Sequence, residues 1–290
     1  MDMLSNRVDE SGFALLPGIE QRVVTRIDGA GRRVETNLIA IEEPLQVVLD
    51  GKPVAVLMRS PGNEKELAVG FCLSEGLIAS FAEIALVQHC GRSTIDPMST
   101  ADELDLSRNV VQITRLRRPA SEQDGRYDVL RLIRSGCGRA DPAELAAVIP
   151  PVTSALRVPV AVLKGLARRI VEGQESYKQA GGVHGVALFD AEGRRVAVGE
   201  DVGRHNALDK TLGYCILRGI PLDDKIAYTT GRASSEMVMK SARVGLPILI
   251  SRSSPTTLAI DLAEQVNLTL IGYARGDRLT IYAHPERIMD

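Results

Sequence analysis

Apolar positions change their period several times along the 290-residue chain. From Gln21 to Met58 they read as strands. Val34, Leu38 and Ile41 lead into Val47-Val48-Leu49, Asp50-Gly51 is a hairpin-turn signal, and Val54, Val56 and Met58 then alternate. Pro61-Gly62 breaks the pattern. EKELAVGFCLSEGLI reads as a helix, with Leu67, Phe71, Ser74 and Ile78 at roughly helical spacing and Glu64 and Glu66 at its positive end. IALVQH and NVVQITRL are short strand candidates. Pro142 opens a helix that Pro150-Pro151 ends, and VAVLKGLARRIVEG reads as another.

From Gly182 onward the signals sharpen. HGVALFD, the turn AEG and RRVAVG form a hairpin, and GRHNALDKTLGYCIL is helical. KIAYTT, PILIS and LTLIGYA are strands separated by the helices ASSEMVMKSARVG, which ends at Gly245, and PTTLAIDLAEQV, with Pro in its first turn. RLTIYA closes the chain. This alternation predicts an α/β fold: a mixed open sheet with flanking helices, plus a smaller N-terminal β-rich α+β portion. The expected organisation is a loose leader over 1–20, the N-terminal portion over 21–141 and a C-terminal α/β domain over 142–290.

Charge narrows the function. Lys and Arg number 35 against 37 Asp and Glu, which disfavours bulk nucleic acid or an anionic membrane as the main partner. Aromatics are 3% with no Trp, so base-stacking platforms are not expected. The longest uncharged stretch, Leu145 to Leu156, contains two prolines and is too short to span a bilayer. MDMLSNRVDESG has no apolar signal region. Cys72, Cys90, Cys137 and Cys215 form no CxxC pair, so free thiols in a reducing cytoplasm are expected. His284-Pro285-Glu286 has the H-x-E spacing of zinc deaminases, yet no P-C-x-x-C follows, and no zinc site is expected.

Two places could carry chemistry. Ligands of open α/β sheets bind beyond the carboxyl ends of the strands. Here those ends lead into Gly231, Arg232, Ser234 and Ser235; into Arg252, Ser253, Ser254, Thr256 and Thr257; and into Arg275, Gly276 and Arg278. Ser and Thr at these points are ordinary helix caps. Three such loops, each with an Arg, also describe a site for a phosphate-bearing ligand. Neither GxxxxGK[ST] nor GxGxxG is present. The second place is Cys137, between Gly136 and Gly138, with Arg131, Arg134 and Arg139 nearby. Positive neighbours stabilise a thiolate, although a lone cysteine is often structural. Arg108–Arg139 holds eight Arg against three acids, the chain's one charge asymmetry. Cys72, beside Phe71 and Leu73, reads as a core filler. His205 reads as a surface or helix-start residue, and Asp201 and Arg204 are candidate partners for it.

RSPGNEKELAVGFCLSEGLI, EDVGRHNALDKTLGY, TTGRASSEMVMKSARVGLP, SPTTLAIDLAEQ and LTLIGYARGDRLTIYAHPERI resemble the FdhD family of formate dehydrogenase accessory sulfurtransferases, over about residues 35–290. The resemblance implies a cytoplasmic homodimer with a zinc-free, cytidine-deaminase-like core. It implies that persulfide sulfur is taken from a cysteine desulfurase and passed to molybdenum bis-guanine-dinucleotide cofactor before that cofactor enters formate dehydrogenase. GDP would then be a ligand analogue. The family's active cysteine falls on Cys137. Its dinucleotide segment falls on Tyr273, Ala274, Arg275, Gly276, Asp277 and Arg278, and the nucleotide-facing loops include Gly231, Arg232, Ser234, Ser235 and Glu236.

One departure matters. Many members carry CGxC, and Ala140 stands here at the second cysteine. A single thiol can carry a persulfide but cannot release it as a local disulfide. The rival reading is a cofactor-binding chaperone for formate dehydrogenase in which Cys137 is incidental. A deaminase relative that kept its activity is disfavoured by the missing zinc ligands.

Overall fold

A computed structural model describes residues 15–90, 109–116 and 142–290. Its first strands, β1 (Ile19–Asp28) and β2 (Gly31–Ala40), pair antiparallel throughout, so regular structure begins inside the expected leader, at the buried Ile19. One face of this ribbon carries internal ion pairs, Arg26 with Glu35 and Arg33 with Asp28, each at 2.5 Å. The other face shows Val23, Ile27 and Val34 to solvent.

β3 (Glu43–Leu49) and β4 (Lys52–Arg59) form the expected hairpin. Asp50 and Gly51 have φ of 50° and 79°, the paired positive values that a two-residue turn between twisted strands needs. α1 (Glu64–Ser74) follows and covers the sheet that β5 (Ile84–Cys90) and β6 (Val110–Arg115) complete, in the order β4-β3-β6-β5. Leu67, Ala68, Phe71 and Cys72 pack with Leu45, Val47, Val111 and Ile113. Each large apolar side chain buried this way stabilises the fold by about 1.5–3 kcal/mol. α1 stops at Ser74, short of Ile78, because Gly76 turns at φ 73° and the Leu77 amide folds back onto the Cys72 carbonyl.

After α2 (Pro142–Ala147) and the short β7 (Val158–Pro159), the segment read as one helix divides at Gly165 into α3 (Val160–Lys164) and α4 (Leu166–Gly173). α5 (Glu175–Ala180) follows, an element the apolar pattern did not announce.

The central sheet comprises β8 (His184–Phe189), β9 (Arg195–Asp201), β10 (Ile226–Thr229), β11 (Ile248–Ser251), β12 (Thr269–Arg275) and β13 (Arg278–Ala283), in the order β13-β12-β11-β10-β8-β9. β10, β11 and β12 are parallel, while the remaining pairings are antiparallel. α6 (Arg204–Leu217), α7 (Ser235–Arg243) and α8 (Thr257–Gln265) pack on one face, with Leu188, Ala227, Leu249 and Leu270 beneath them. α3 and α4 pack on the other, over Phe189, Tyr228, Ile250 and Ile271. Burial on both faces explains why these strands are near-continuous apolar runs. β14 (Ile288–Met289) pairs with β7. The fold is mixed α/β, as the alternation of elements predicts. Pro255 lies ahead of the α8 cap rather than in the first turn; Thr256 is the cap, and its hydroxyl accepts from the Ala259 amide at 3.3 Å.

Two buried charge clusters join the N-terminal sheet to this core. Lys240 of α7 reaches Asp209 of α6 at 2.7 Å, Ser74 of α1 at 2.9 Å and Glu75 at 2.9 Å. Burial alone would lower its pKa, but Asp209 and Glu75 outweigh it and hold the ammonium above the usual lysine range. In the second cluster Lys210 binds Asp201 at 2.8 Å and the Ser60 carbonyl at 2.7 Å. Asp201 accepts in turn from the Ser60 amide at 3.1 Å and the Gly203 amide at 2.9 Å. The turn after β4 is thereby clamped to the loop that starts α6.

Candidate functional site

Parallel strands put their carboxyl ends on one edge, so β10, β11 and β12 deliver the loops after Thr229, Ser251 and Arg275 side by side. β8 runs against β10, which brings its first residue, His184, to that edge together with Asp201 at the end of β9. The loops are tied to one another. Ser251 Oγ donates to the Gly231 carbonyl at 2.7 Å, Ala233 bridges to Pro255, and the Thr256 amide donates to the Ala233 carbonyl at 3.1 Å. Tyr273 N donates to the Ser253 carbonyl at 2.9 Å, and Arg275 Nε to the Arg252 carbonyl at 3.0 Å. All three strand-end loops of the sequence reading therefore meet in one strip.

Tyr273, Arg275, Gly276, Asp277 and Arg278 are exposed on the β12–β13 hairpin, while Ala274 is buried and its carbonyl accepts from the Tyr228 hydroxyl at 2.6 Å. Burial raises that hydroxyl to about 12, with Arg252 and Arg275 pulling the other way. Tyr273 sits at φ 50°. A non-glycine residue there costs about 1 kcal/mol or more, so the surrounding bonds must enforce it. Gly231, Arg232, Ser234, Ser235 and Glu236 line the next loop. Ser234 is the α7 cap residue by backbone, yet its hydroxyl makes no capping bond and lies 3.3 Å from His205 Nε2. Gly231 is small because Arg204 passes it: an added Cβ would meet Arg204 Cβ at 3.0 Å and Cδ at 3.1 Å, and His184 Nδ1 at 3.5 Å.

The strip is electropositive. Arg232, Arg252 and Arg278 use their guanidinium groups in no hydrogen bond or ion pair with described residues, and Arg204 Nε is buried without a hydrogen-bond partner. Burial, then Arg204 and Arg232, hold the His184 imidazole below its ordinary range. Backbone amides at the starts of α7 and α8 add to the potential. Chemically, this edge offers guanidinium groups and helix-start amides to an anion.

Three members of the strip were not singled out as site residues from sequence: His184, Arg204 and His205. His205 reaches Glu236 at 3.0 Å, so it is not merely a helix-start residue. The available signal was its position, directly after a strand end and at the opening of a helix, where α/β ligand sites form.

Cys137, Ala140 and most of the arginine-rich segment lie outside the described residues. Among the described thiols, Cys72 and Cys215 are buried, and burial pushes them up to about 12 and about 11; Cys90 is exposed. Among the described residues, no group of three or more His, Cys, Asp or Glu side chains could hold a metal ion, and no helix is long and apolar enough to cross a membrane.

Comparison with known proteins places the chain. A sulfur carrier protein FdhD of Streptomyces coelicolor is 36% identical over 285 residues, covering 93% of this chain and 95% of its own. Another, of Thermoplasma acidophilum, is 35% identical and covers 99% of both. The crystal structure of a proposed formate dehydrogenase accessory protein from Desulfotalea psychrophila superimposes with a TM-score of 0.71 at 28% identity, over 93% of this chain and 99% of that one. With residues 40–289 matching the FdhD/NarQ family as a whole, the chain belongs to that family.

Proposed function

We propose that this protein is a sulfur carrier for formate dehydrogenase maturation, acting as a sulfurtransferase. The supporting observation is a coincidence: relatives named sulfur carrier protein FdhD align over nearly the whole chain, and the loops carried over from that family converge on one arginine-rich strip. In this reading the Cys137 thiolate attacks the terminal sulfur of a cysteine desulfurase persulfide. A new S–S bond forms on Cys137 and the desulfurase cysteine leaves as thiolate. The outer sulfur would then pass to its substrate, molybdenum bis-guanine-dinucleotide cofactor, with the Cys137 S–S bond breaking, Cys137 leaving as thiolate and the two electrons that take the sulfur to sulfide coming from the reduced substrate or an external thiol. Arg275, Arg278 and the Gly231–Glu236 loop would hold that substrate through phosphate. The reading includes a cytoplasmic homodimer with a cytidine-deaminase-like core, docking of formate dehydrogenase and GDP as an analogue ligand. Cys72 and Cys215 are too buried and too weakly acidic to compete as carriers.

Intact-mass measurement after incubation with a desulfurase and cysteine tests this. One added sulfur is expected, and none in Cys137→Ala. A gain that survives in Cys137→Ala and vanishes in Cys90→Ala moves the carrier role to Cys90.

Ala140 favours a second reading, a cofactor-binding chaperone with no sulfur chemistry of its own, since the local partner thiol is missing. A Cys137→Ala protein that still activates formate dehydrogenase fully establishes that reading instead.

A further inference from the structure

The fold turns Tyr273 out of the core. Alternation along β12 would aim it the way Ile271 points, into the layer under α3 and α4. The register with β13 prevents this. Gly272 pairs with Thr280 and Arg275 with Arg278, so Tyr273 and Ala274 together oppose the single residue Leu279. The extra residue is a β-bulge, a device that re-aims a side chain. Ala274 enters the buried layer with Ile271, and Tyr273 is left 41% exposed at φ 50°. Three contacts hold this arrangement. The Tyr273 amide donates to the Ser253 carbonyl at 2.9 Å, and the Ala274 carbonyl accepts from the buried Tyr228 hydroxyl at 2.6 Å. Gly272 packs so closely on the next loop that an added Cβ would come within 2.8 Å of Pro255 Cδ.

The exposed ring gives no hydrogen bond in return. Its hydroxyl bonds to no described residue, whereas Tyr228 uses its own. A positive φ on an aromatic residue is a strain that glycine would avoid, and such strain collects at ligand sites. The place is the arginine strip itself: Ser253 belongs to the loop after β11, and two residues beyond Tyr273 the Arg275 Nε donates to the Arg252 carbonyl at 3.0 Å. We infer that Tyr273 is a stacking platform for the planar base of a nucleotide whose phosphates lie on the arginines. This rests on the phosphate-binding reading of the strip and goes further by giving the base a contact of its own. One tyrosine differs from the repeated platforms of single-strand binders, which the 3% aromatic content disfavours. Stacking uses the π-face that every base has, so the contact strengthens purine nucleotides as a class and does not choose guanine over adenine.

The test is a titration of GDP, ADP and inorganic pyrophosphate into the wild-type chain, Tyr273→Phe, Tyr273→Ala and Tyr273→Gly, at fixed salt. Tyr273→Phe keeps the ring and should keep the wild-type affinities. Tyr273→Ala and Tyr273→Gly should each weaken GDP and ADP about ten-fold and leave pyrophosphate, which has no base, unchanged. Thermal melts of the same proteins check folding and strain. Tyr273→Gly should melt above Tyr273→Ala, because only glycine takes φ 50° freely, and the reverse order removes the strain from which the inference starts. If wild type binds GDP and Tyr273→Gly binds it equally well, the inference fails and the phosphate reading stands. If GDP and pyrophosphate weaken alike in the Ala and Gly variants, the tyrosine braces the loop instead of meeting the base, and the inference is again overturned. A loss in Tyr273→Phe as large as in Tyr273→Ala assigns the contact to the hydroxyl and overturns it too. If wild type binds neither GDP nor pyrophosphate, the phosphate reading fails and takes the inference with it.

Discussion

Gly70 and Gly213 meet where α1 crosses α6: a Cβ on Gly70 would come within 3.0 Å of the Gly213 amide nitrogen, and one on Gly213 within 2.9 Å of the Gly70 nitrogen. Added carbons would also run into the carbonyls of Asp209 and Glu66, which are backbone and cannot step aside. The two helices touch backbone to backbone. Gly70→Ala and Gly213→Ala should each cost about 3 kcal/mol or more, at the upper end for overpacking. Urea melts read this directly. A loss under 1 kcal/mol in either variant contradicts the tight crossing.

The Lys240 cluster makes a sharper demand. Lys240→Met leaves Asp209 buried without its cation and should destabilise by about 3–5 kcal/mol. Removing the neighbouring charge as well, in Lys240→Met with Asp209→Asn, should recover part of that loss. A double-mutant cycle on chemical denaturation gives the coupling, and strict additivity would show that the two groups do not act as a pair.

Arg275 does one thing that Arg278 does not. Its Nε holds the Arg252 carbonyl, so it braces the neighbouring loop as well as facing solvent with its remaining N–H groups. Arg275→Ala and Arg278→Ala should each weaken GDP binding by about 1.5–3 kcal/mol, with Arg275→Ala the worse. Calorimetry ranks them. Unchanged affinity in both removes the hairpin from the ligand site.

His184 gives the site a pH dependence. It is depressed by burial and by Arg204 and Arg232, from an ordinary value of about 6.5. An anion seated beside those arginines offsets them and draws the pKa back up. The bound state then keeps its proton to higher pH than the free state. Affinity should therefore rise as pH falls through the bound-state value, level off below the free-state value and be flat at alkaline pH. Pyrophosphate titrations of wild type and His184→Asn, in buffers of different protonation enthalpy, measure the difference. Equal proton uptake in the two proteins excludes His184 as its source.

The strand–helix alternation over 226–275 was legible because strands buried on both faces have few ways to be written: Ile226–Thr229 and Ile248–Ser251 are short apolar runs bounded by turn residues. The strand-end loops could be located for the same reason. The buried lysines were not legible. Lys210 and Lys240 lie on helices where lysine normally faces water, and only the packing of α1 and the Ser60 turn encloses them. His205 was undervalued because its partner Glu236 sits on another helix, and no local spacing links them. The break at Gly165 escaped because Val160–Gly173 keeps its apolar positions across it, and Gly165 itself stays near helical angles at φ −84°.

The clamp between Ser60 and Lys210 joins residues 150 positions apart. A ribosome adding about 5–20 residues per second needs roughly 8–30 s to cover that distance. From the end of β6 at Arg115 onward α1 and its four-stranded sheet have all been made, while the helix that closes over Gly70, starting at Arg204, has not. The Gly70 side of α1 stays uncovered until then, and the first half of the protein cannot finish folding until the second half is largely synthesised. Truncated nascent chains ending before α6 should therefore be held by chaperones and cut readily by protease, and those extending past α7 should not.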